Sequence, residues 1–396
     1  MQSQLSESEQ AFADQVEQFI AQNWLNIAEP RRRMRAWLST GDTEPLRKRW
    51  YHSVVAAGWS VPHWPEEFGG CDWSPQQLHI WLSACLKHQT PAVLTFATAH
   101  VGPLLIEYGD TAQRALLAQI AAFEETWCLG WAEQDSLSDH LGVATRVSRT
   151  PRQLSIRGTK TRVIEGMQAH WMMCIARAED SQAQEPSGSV VLLPLQQSQI
   201  TRSPQAALSS GQPMAEIVIT EALAPPWGEL HIPISELHKR LSGITAGDLS
   251  VSVDGAALMQ QAQGLANRLR GEPNMELGLL RDCDELAIEI LALQGMEQRA
   301  IVDSELPPTL LRLRAQTLWG KLSELQIAAF GYYALPFVDG ALADNEGPVD
   351  NTRPLGEMDM TMVMRRMLSP TIATELGLDP RDSLAQDALG LPAQDH

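Results

Sequence analysis

Residues 58–70 read GWSVPHWPEEFGG and interrupt a series of helical patterns. Two prolines and a closing pair of glycines predict that residues 61–70 form a loop, because neither residue type continues a helix well. Before this loop, residues 46–58 predict a helix that ends at Gly58. After it, residues 75–88 carry a further helical pattern. The loop therefore lies within a helical region.

The helical region begins close to the first residue. Ser6 and Glu9 have the spacing of a capping box, which marks the start of a helix. Residues 91–108 predict a further helix that closes at Gly109. The apolar residues that follow the capping box at helical spacing, and that predict one buried stripe, are Phe12, Val16, Phe19 and Ile20.

Residues 127–222 carry a different pattern, with short segments rich in Val, Ile and Thr between clusters of Gly, Pro, Ser and Asp. Such segments are typical of β-strands. Their close spacing predicts a small antiparallel barrel or sandwich. The predicted strands are Trp127–Ala132, Val143–Ser148, Leu154–Gly158, Trp171–Arg177, Ser189–Leu193 and Ala215–Ile219.

The C-terminal part of the chain is helical again. Residues 278–303 predict a long helix, and residues 308–334 predict a partner of similar length. A short turn that contains proline joins them, so we expect an antiparallel bundle. Residues 381–396 are predicted to form a tail. The stripe expected to be buried on the first long helix is Leu280, Ala287, Ile290, Leu293 and Met296.

The composition narrows the classes of partner. The chain of 396 residues has 30 Lys and Arg against 48 Asp and Glu, a net charge of −18. This charge argues against nucleic acid or an anionic membrane as the main partner. Five widely spaced cysteines without a CxxC pair predict free thiols in a reducing compartment. Without a long apolar run or a signal-peptide pattern, the sequence predicts a soluble cytoplasmic protein.

Three groups of motifs, in this order and spacing, resemble the acyl-CoA dehydrogenase family. The C-terminal stretches 288–299 and 321–337 are similar to subunits of bacterial heteromeric acyl-CoA dehydrogenases that act on pimeloyl-type or steroid-derived thioesters. The motifs are Gly58-Trp59 with Trp64–Gly70; Val101–Pro103 with Tyr108, Gly109 and Gln113; and Trp127–Glu133 with Ser138, Asp139, Thr145 and Arg146.

The resemblance implies an α+β fold in three parts: an N-terminal α-helical domain, a small middle β-barrel or sandwich domain, and a C-terminal four-helix bundle. The implied division is 1–124, 125–226 and 227–380, with the tail at 381–396. It also implies FAD, bound between the β domain and the bundle. In the family, a glutamate removes the α-proton of an acyl-CoA and flavin N5 accepts the β-hydride.

The flavin-binding segments depart from the family pattern. The family reads Glu-Pro-Gly-Ala-Gly-Ser-Asp where residues 133–139 read EQDSLSD, so both glycines are lost. The family reads Lys-x-Trp-Thr-Ser where residues 160–164 read KTRVI, so Arg162 replaces a Trp that packs on the flavin ring. Arginine can also stack on aromatic planes, so Arg162 alone does not exclude flavin. The positions that the resemblance assigns to cofactor binding are Trp131, Ser138, Asp139, Arg162, Thr361 and Arg366; Ser138 and Asp139 also fit a turn with its Asx cap.

The catalytic base is also altered. One subgroup of the family places its glutamate where this chain has Gly247, which cannot take a proton. The other subgroup places it where this chain has Asp359, one methylene shorter than glutamate. Asp359 is thus the candidate catalytic residue, with a helix cap or a solvated acid as the alternative.

Retained scaffold motifs with altered catalytic motifs favour a companion subunit of a heteromeric acyl-CoA dehydrogenase. A second acyl-CoA dehydrogenase-like chain would hold or share FAD. Acyl-CoA is the expected substrate, and electron-transferring flavoprotein is the electron acceptor that the family implies. The alternatives are a homo-oligomeric enzyme with Asp359 as base, and a non-catalytic acyl-CoA-binding or assembly protein.

Overall fold

A computed structural model of the chain shows helices, then strands, then helices again, which confirms the predicted α+β class. The described residues are 5–25, 44–88, 90–133, 143–179, 188–205, 214–234, 236–237, 240, 253–271, 277–302, 306, 308–330, 381, 384–385 and 389–391.

The N-terminal helices begin with the capping box that the sequence predicts. The Ser6 hydroxyl accepts the Glu9 N–H at 3.3 Å, and the Glu9 carboxylate accepts the Ser6 N–H at 2.7 Å. The α-helices before the sheet are α1 Glu7–Ile20, α2 Glu44–Ala56, α3 Pro75–Lys87, α4 Gly102–Tyr108, α5 Thr111–Arg114 and α6 Leu117–Ala121, with π-helical turns at Ala21–Leu25 and Ala97–Val101.

The helices on both sides of the 58–70 stretch agree with the predictions 46–58 and 75–88, whereas the next predicted helix differs. Gly58 follows the end of α2 with a φ of +73°, as a glycine helix stop requires. The predicted helix 91–108 is wrong in its first part. The helical turns begin at residue 97, because Thr95 and Thr98 exchange hydrogen bonds between hydroxyl and backbone N–H groups and cap the turn there.

The middle region is one eight-stranded sheet with the order β6-β7-β3-β2-β4-β5-β8, in which β1 pairs with β4. The strands are β1 Trp127–Gly130, β2 Arg146–Thr150, β3 Gln153–Ile164, β4 Trp171–Ala178, β5 Gly188–Pro194, β6 Ile200–Gln205, β7 Met214–Ala224 and β8 Glu229–Leu230.

The prediction of a purely antiparallel sheet is wrong, because β1 and β2 both run parallel to β4. β1 pairs with the first half of β4 and β2 with its last residues, so the two strands follow one another along the same side of β4. Strand β6 is absent from the sequence prediction. Among the described strands it pairs with β7 alone, and it contains Pro204, which an edge strand tolerates.

Three described helices form the C-terminal part: α7 Asp254–Gly271, α8 Leu277–Val302 and α9 Pro308–Phe330. They share one apolar core, which confirms the two long predicted helices and their packing. Of the stripe predicted on α8, Ile290 and Leu293 are fully buried, and Leu280, Ala287 and Met296 are half-buried.

Two further expectations concern the whole chain. All five cysteines are free, as predicted. Within the described ranges, none of the helices combines the length and the apolar character that crossing a membrane would require.

Candidate functional site

A buried carboxylate joins the end of β1 to the chain that enters β2. Glu133 is 4 % exposed, and its oxygens accept the N–H groups of Ala144 at 2.6 Å and Thr145 at 3.1 Å. They also accept the Thr145 hydroxyl at 2.6 Å. Glu133 therefore links the end of β1 to residues 144 and 145 by hydrogen bonds. The segment 134–142 between them lies outside the described residues.

The same carboxylate forms a buried ion pair with β3. Lys160 is fully buried, and its Nζ lies 2.6 Å from Oε1 of Glu133. Burial by itself raises the pKa of Glu133. The charge of Lys160 and the hydrogen bonds from Lys160, Thr145 and Ala144 outweigh burial, and the pKa lies below its usual value. Glu133 is thus ionised with its acceptor sites filled, so it is a structural anchor and not a free base.

Next to Lys160, β3 contains one extra residue. Lys160 pairs with Ile217 and Val163 with Ala215, so three steps along β3 match two steps along β7. This is a β-bulge. Arg162 lies in it with a φ of +53°, in the left-handed region that non-glycine residues seldom adopt.

The backbone of the bulge is hydrogen-bonded on both sides. The N–H of Thr161 donates to the carbonyl of Ala132 at 2.9 Å, so the chain after β1 lies beside the bulge. The N–H of Arg162 donates to Oε1 of Gln205 at the end of β6 at 2.7 Å. Three separate segments of the sheet region thus meet at this point.

The polar side-chain atoms of the bulge, unlike its backbone N–H groups, lack hydrogen-bond partners among the described residues. The Thr161 hydroxyl is buried without a hydrogen-bond partner among the described residues, and so are Nε and Nη2 of Arg162. Buried polar atoms are nearly always hydrogen-bonded in proteins, so an unpaired one indicates strain, a functional role or a bound water or ion. The bulge is therefore the strongest candidate functional position in the described part of the sheet.

The structure describes two of the site residues that the sequence predicts. Trp131 is half-buried, directly after β1, and packs against the apolar cluster between the N-terminal helices and the sheet. Arg162 lies in the neighbouring bulge. The other predicted residues lie outside the described residues: Ser138, Asp139, Gly247, Asp359, Thr361 and Arg366.

The described edge of β3 does not fit the flavin ring as the family pattern would. Val163 is fully buried in the sheet core, and Ile164 is aliphatic, so neither offers a hydroxyl to a ring. The backbone N–H of Arg162 is already bonded to Gln205. These residues alone do not form a polar cradle for isoalloxazine.

The GWSVPHWPEEFGG stretch contains the half-buried His63, and the buried His100 follows in the π-helical turn before α4. Burial lowers the pKa of both His63 and His100 to about 4, so both are neutral near pH 7. Nε2 of His63 donates to the carbonyl of Thr98 at 3.1 Å, and the indole of Trp64 donates to the same carbonyl at 3.0 Å. This arrangement ties the stretch to the π-helical turn before α4.

Sequence reasoning missed the Glu133–Lys160 pair, the free hydroxyl of Thr161 and the role of Gln205. No local signal marks Gln205, because it meets Arg162 only after the sheet has formed. Among the residues that the structure describes, no group of three or more His, Cys, Asp or Glu residues could hold a metal ion.

Comparison with known proteins agrees with the fold and the motifs. Residues 6–124 match the acyl-CoA dehydrogenase N-terminal domain. A segment of 178 residues is 28% identical to the acyl-CoA dehydrogenase IpdE1 of Mycobacterium tuberculosis, covering 44% of this chain and 46% of that protein. The IpdE1 of Mycolicibacterium smegmatis is 27% identical over 188 residues, which are 44% of this chain and 48% of that protein. The chain thus spans about half the length of the curated relatives it matches.

Solved structures match over the full length. The ChsE4-ChsE5 complex from Mycobacterium tuberculosis superposes with a TM-score of 0.76 at 16% identity, over 100% of both chains. The Tcur3481-Tcur3483 steroid ACAD gives 0.74 at 15% identity, again over 100% of both chains. Likeness at these identities shows the fold alone.

Residues 6–124 match the acyl-CoA dehydrogenase N-terminal domain, and the whole chain shares the fold of solved acyl-CoA dehydrogenases. The resemblance to the acyl-CoA dehydrogenase family, first seen in the motifs between residues 58 and 146, is confirmed.

Proposed function

We propose that this chain is the companion subunit of a heteromeric FAD-dependent acyl-CoA dehydrogenase, which introduces an α,β double bond into a bulky CoA thioester, steroid-derived or dicarboxylic. The observation that carries the proposal is which of the family's residues strand β3 keeps and which it has lost. Lys160 keeps its partner Glu133, whereas the buried Val163 and the aliphatic Ile164 offer no hydroxyl to a flavin ring. A chain that keeps the scaffold but not the cofactor contacts fits a subunit whose partner supplies those contacts.

The comparisons support a steroid-type substrate and a second chain. The names of ChsE4-ChsE5 and Tcur3481-Tcur3483 each join two chains, and the second complex is called a steroid ACAD. By this analogy the partner would supply the catalytic base and most contacts to FAD. Electron-transferring flavoprotein would reoxidise the flavin, and the complex would work in the cytoplasm.

The outer face of α8 supports an interface with another chain. Ile288 is 67 % exposed and Leu291 is 55 % exposed, near the middle of the helix. No atom of the described residues lies within 4 Å of the position that a Cβ on Gly295 would take, one turn further on. An exposed apolar face of this kind on a bundle helix is typical of a subunit interface.

The test is expression with and without a second acyl-CoA dehydrogenase-like chain encoded by an adjacent gene. We expect visible flavin absorbance and acyl-CoA oxidation only when both chains are present. A flavin-loaded homo-oligomer of this chain that oxidises acyl-CoA would overturn the proposal and favour the single-chain enzyme. In that case Asp359→Asn should remove its activity if Asp359 is the base. Binding of acyl-CoA without turnover in every combination would favour the non-catalytic alternative.

The α8 face can be tested in the same system. Ile288→Glu with Leu291→Glu should abolish co-purification of the two chains, because charges would replace the apolar contact. Leu223→Glu, at a residue of β7 that is 39 % exposed, is the matched control and should leave co-purification intact. Equal recovery of the complex from both variants would exclude this face as the interface.

A further inference from the structure

We propose that the Thr161–Arg162 bulge is a binding site for an oxyanion, a carboxylate or a phosphate group. This inference concerns what the chain itself binds at the bulge, and it does not require that the chain be a companion subunit. It rests on the geometry of β3 and on the unpaired polar atoms there.

The bulge places two consecutive side chains on one face of the sheet. Residues Leu154 and Ile156 of β3 belong to the inner apolar core, and so does Val163. Lys160 is fully buried and lies directly opposite Ile217 of β7, a member of the same core. Because Lys160 and Val163 share this face although three positions apart, both residues between them lie on the opposite face.

The unpaired atoms of Arg162 form one edge of its guanidinium group. Nε and Nη2 carry N–H bonds that point in the same direction, the arrangement that binds the two oxygens of a carboxylate or phosphate side by side. Both atoms are buried without a partner among the described residues, and the Thr161 hydroxyl adds a third polar atom in the same state. The set matches an oxyanion in both charge and hydrogen-bonding direction.

The positive charge of Arg162 is not neutralised by a described neighbour, whereas that of Lys160 is neutralised by Glu133 at 2.6 Å. The bulge is also held in place before any ligand arrives. Ala132 accepts the N–H of Thr161, and Gln205 accepts the N–H of Arg162. A site held this way loses little freedom when it binds, which favours affinity for a small anion.

The experiment measures the thermal unfolding midpoint of the full chain, in its complex if it purifies as one. Inorganic phosphate and glutarate are the two probes, and sodium chloride at equal ionic strength is the reference. We expect at least one probe to raise Tm by about 1–3 °C above the chloride reference at millimolar concentration. A response to phosphate alone assigns a phosphate group, and a response to glutarate alone assigns a carboxylate.

Variants separate binding from a merely structural role. Arg162→Met should abolish the response to the probe and should also raise Tm without anion, because it removes two buried N–H-bearing atoms that lack a described partner. Arg162→Gly should do the same and also relieve the left-handed φ. Arg157→Gln is the matched control: it lies on the same strand but is paired with Glu179, and it should keep the full response.

Two results would overturn the inference. One is an equal Tm in phosphate, glutarate and chloride for the unmodified chain. The other is a lower anion-free Tm for both Arg162 variants, which would mean that the guanidinium stabilises the fold. Neither result bears on the companion-subunit proposal, because flavin content and co-purification are measured separately.

Discussion

Two nearby positions on β3, Lys160 and Arg162, differ in whether a described residue pairs with their positive charge. At Lys160, a buried ammonium meets a buried carboxylate that also accepts three hydrogen bonds from Ala144 and Thr145. At Arg162, two positions further on, a guanidinium edge is buried with no described partner. The chain itself supplies the partner of the Lys160 charge, whereas by our proposal the guanidinium edge of Arg162 gains its partner only when an oxyanion binds. The comparison separates what holds this fold together from what the fold presents to another molecule.

The largest expected effect on stability comes from breaking the buried Glu133–Lys160 ion pair. Lys160→Met should reduce the free energy of unfolding by about 3–5 kcal/mol, because Glu133 would remain buried without its cation. Urea unfolding of the full chain measures this loss. The double variant Glu133→Gln, Lys160→Met should recover part of it, since no buried charge is left unpaired. A double variant as unstable as the sum of its single variants would show that the pair is not coupled.

A smaller loss of unfolding free energy should follow from lowering the pH. The folded pKa of Glu133 lies below its usual value of 4.5, so its stabilising contribution is complete above pH 4.5 and is lost as pH falls through the folded value. Between pH 6 and pH 3.5 the unmodified chain should therefore lose more unfolding free energy than Glu133→Gln. Other acids with lowered pKa, such as Glu229, contribute to both proteins alike and cancel in the difference. Parallel pH curves would contradict the assignment.

The smallest expected effect on stability comes from the unpaired hydroxyl of Thr161 in the bulge. Thr161→Val removes a buried hydroxyl that has no described partner and keeps nearly the same shape. We expect the anion-free chain to gain up to about 1 kcal/mol in unfolding free energy, since no hydrogen bond is lost. The analogous change Thr145→Val is the control, because the Thr145 hydroxyl donates to Glu133 at 2.6 Å and its loss should destabilise the chain. If both changes destabilise equally, the Thr161 hydroxyl has a partner in the folded chain.

Much of the fold could be predicted from local sequence. The Ser6–Glu9 capping box, the helix stop at Gly58 and the long C-terminal helices each depend on residues a few positions apart. The start of strand β4 at Trp171 was predicted for the same reason. Edge strand β6 was not, because among the described strands it pairs on one side only and its sequence has no clear alternation of apolar and polar residues.

The candidate site was predictable only in part. Arg162 stood out because it replaces a residue that the family pattern contains. Its left-handed φ and the bulge around it were not visible, because they depend on how β3 aligns with β7. The parallel pairing of β1 and β2 with β4 depends likewise on long-range alignment.

The sequence by itself determined the order of helices and strands, the family motifs and the places where those motifs are altered. Hydrophobic periodicity, caps and turn residues act over a few positions, so they can be read without a structure. Only the tertiary structure decided which charges are paired. Lys160 meets Glu133 across 27 positions, whereas Gln205, 43 positions from Arg162, accepts only its backbone N–H and leaves the guanidinium edge without a described partner. Whether a buried charge stabilises the fold or awaits a ligand depends on such distant neighbours, since the cost of burial is offset only by the groups that surround the charge.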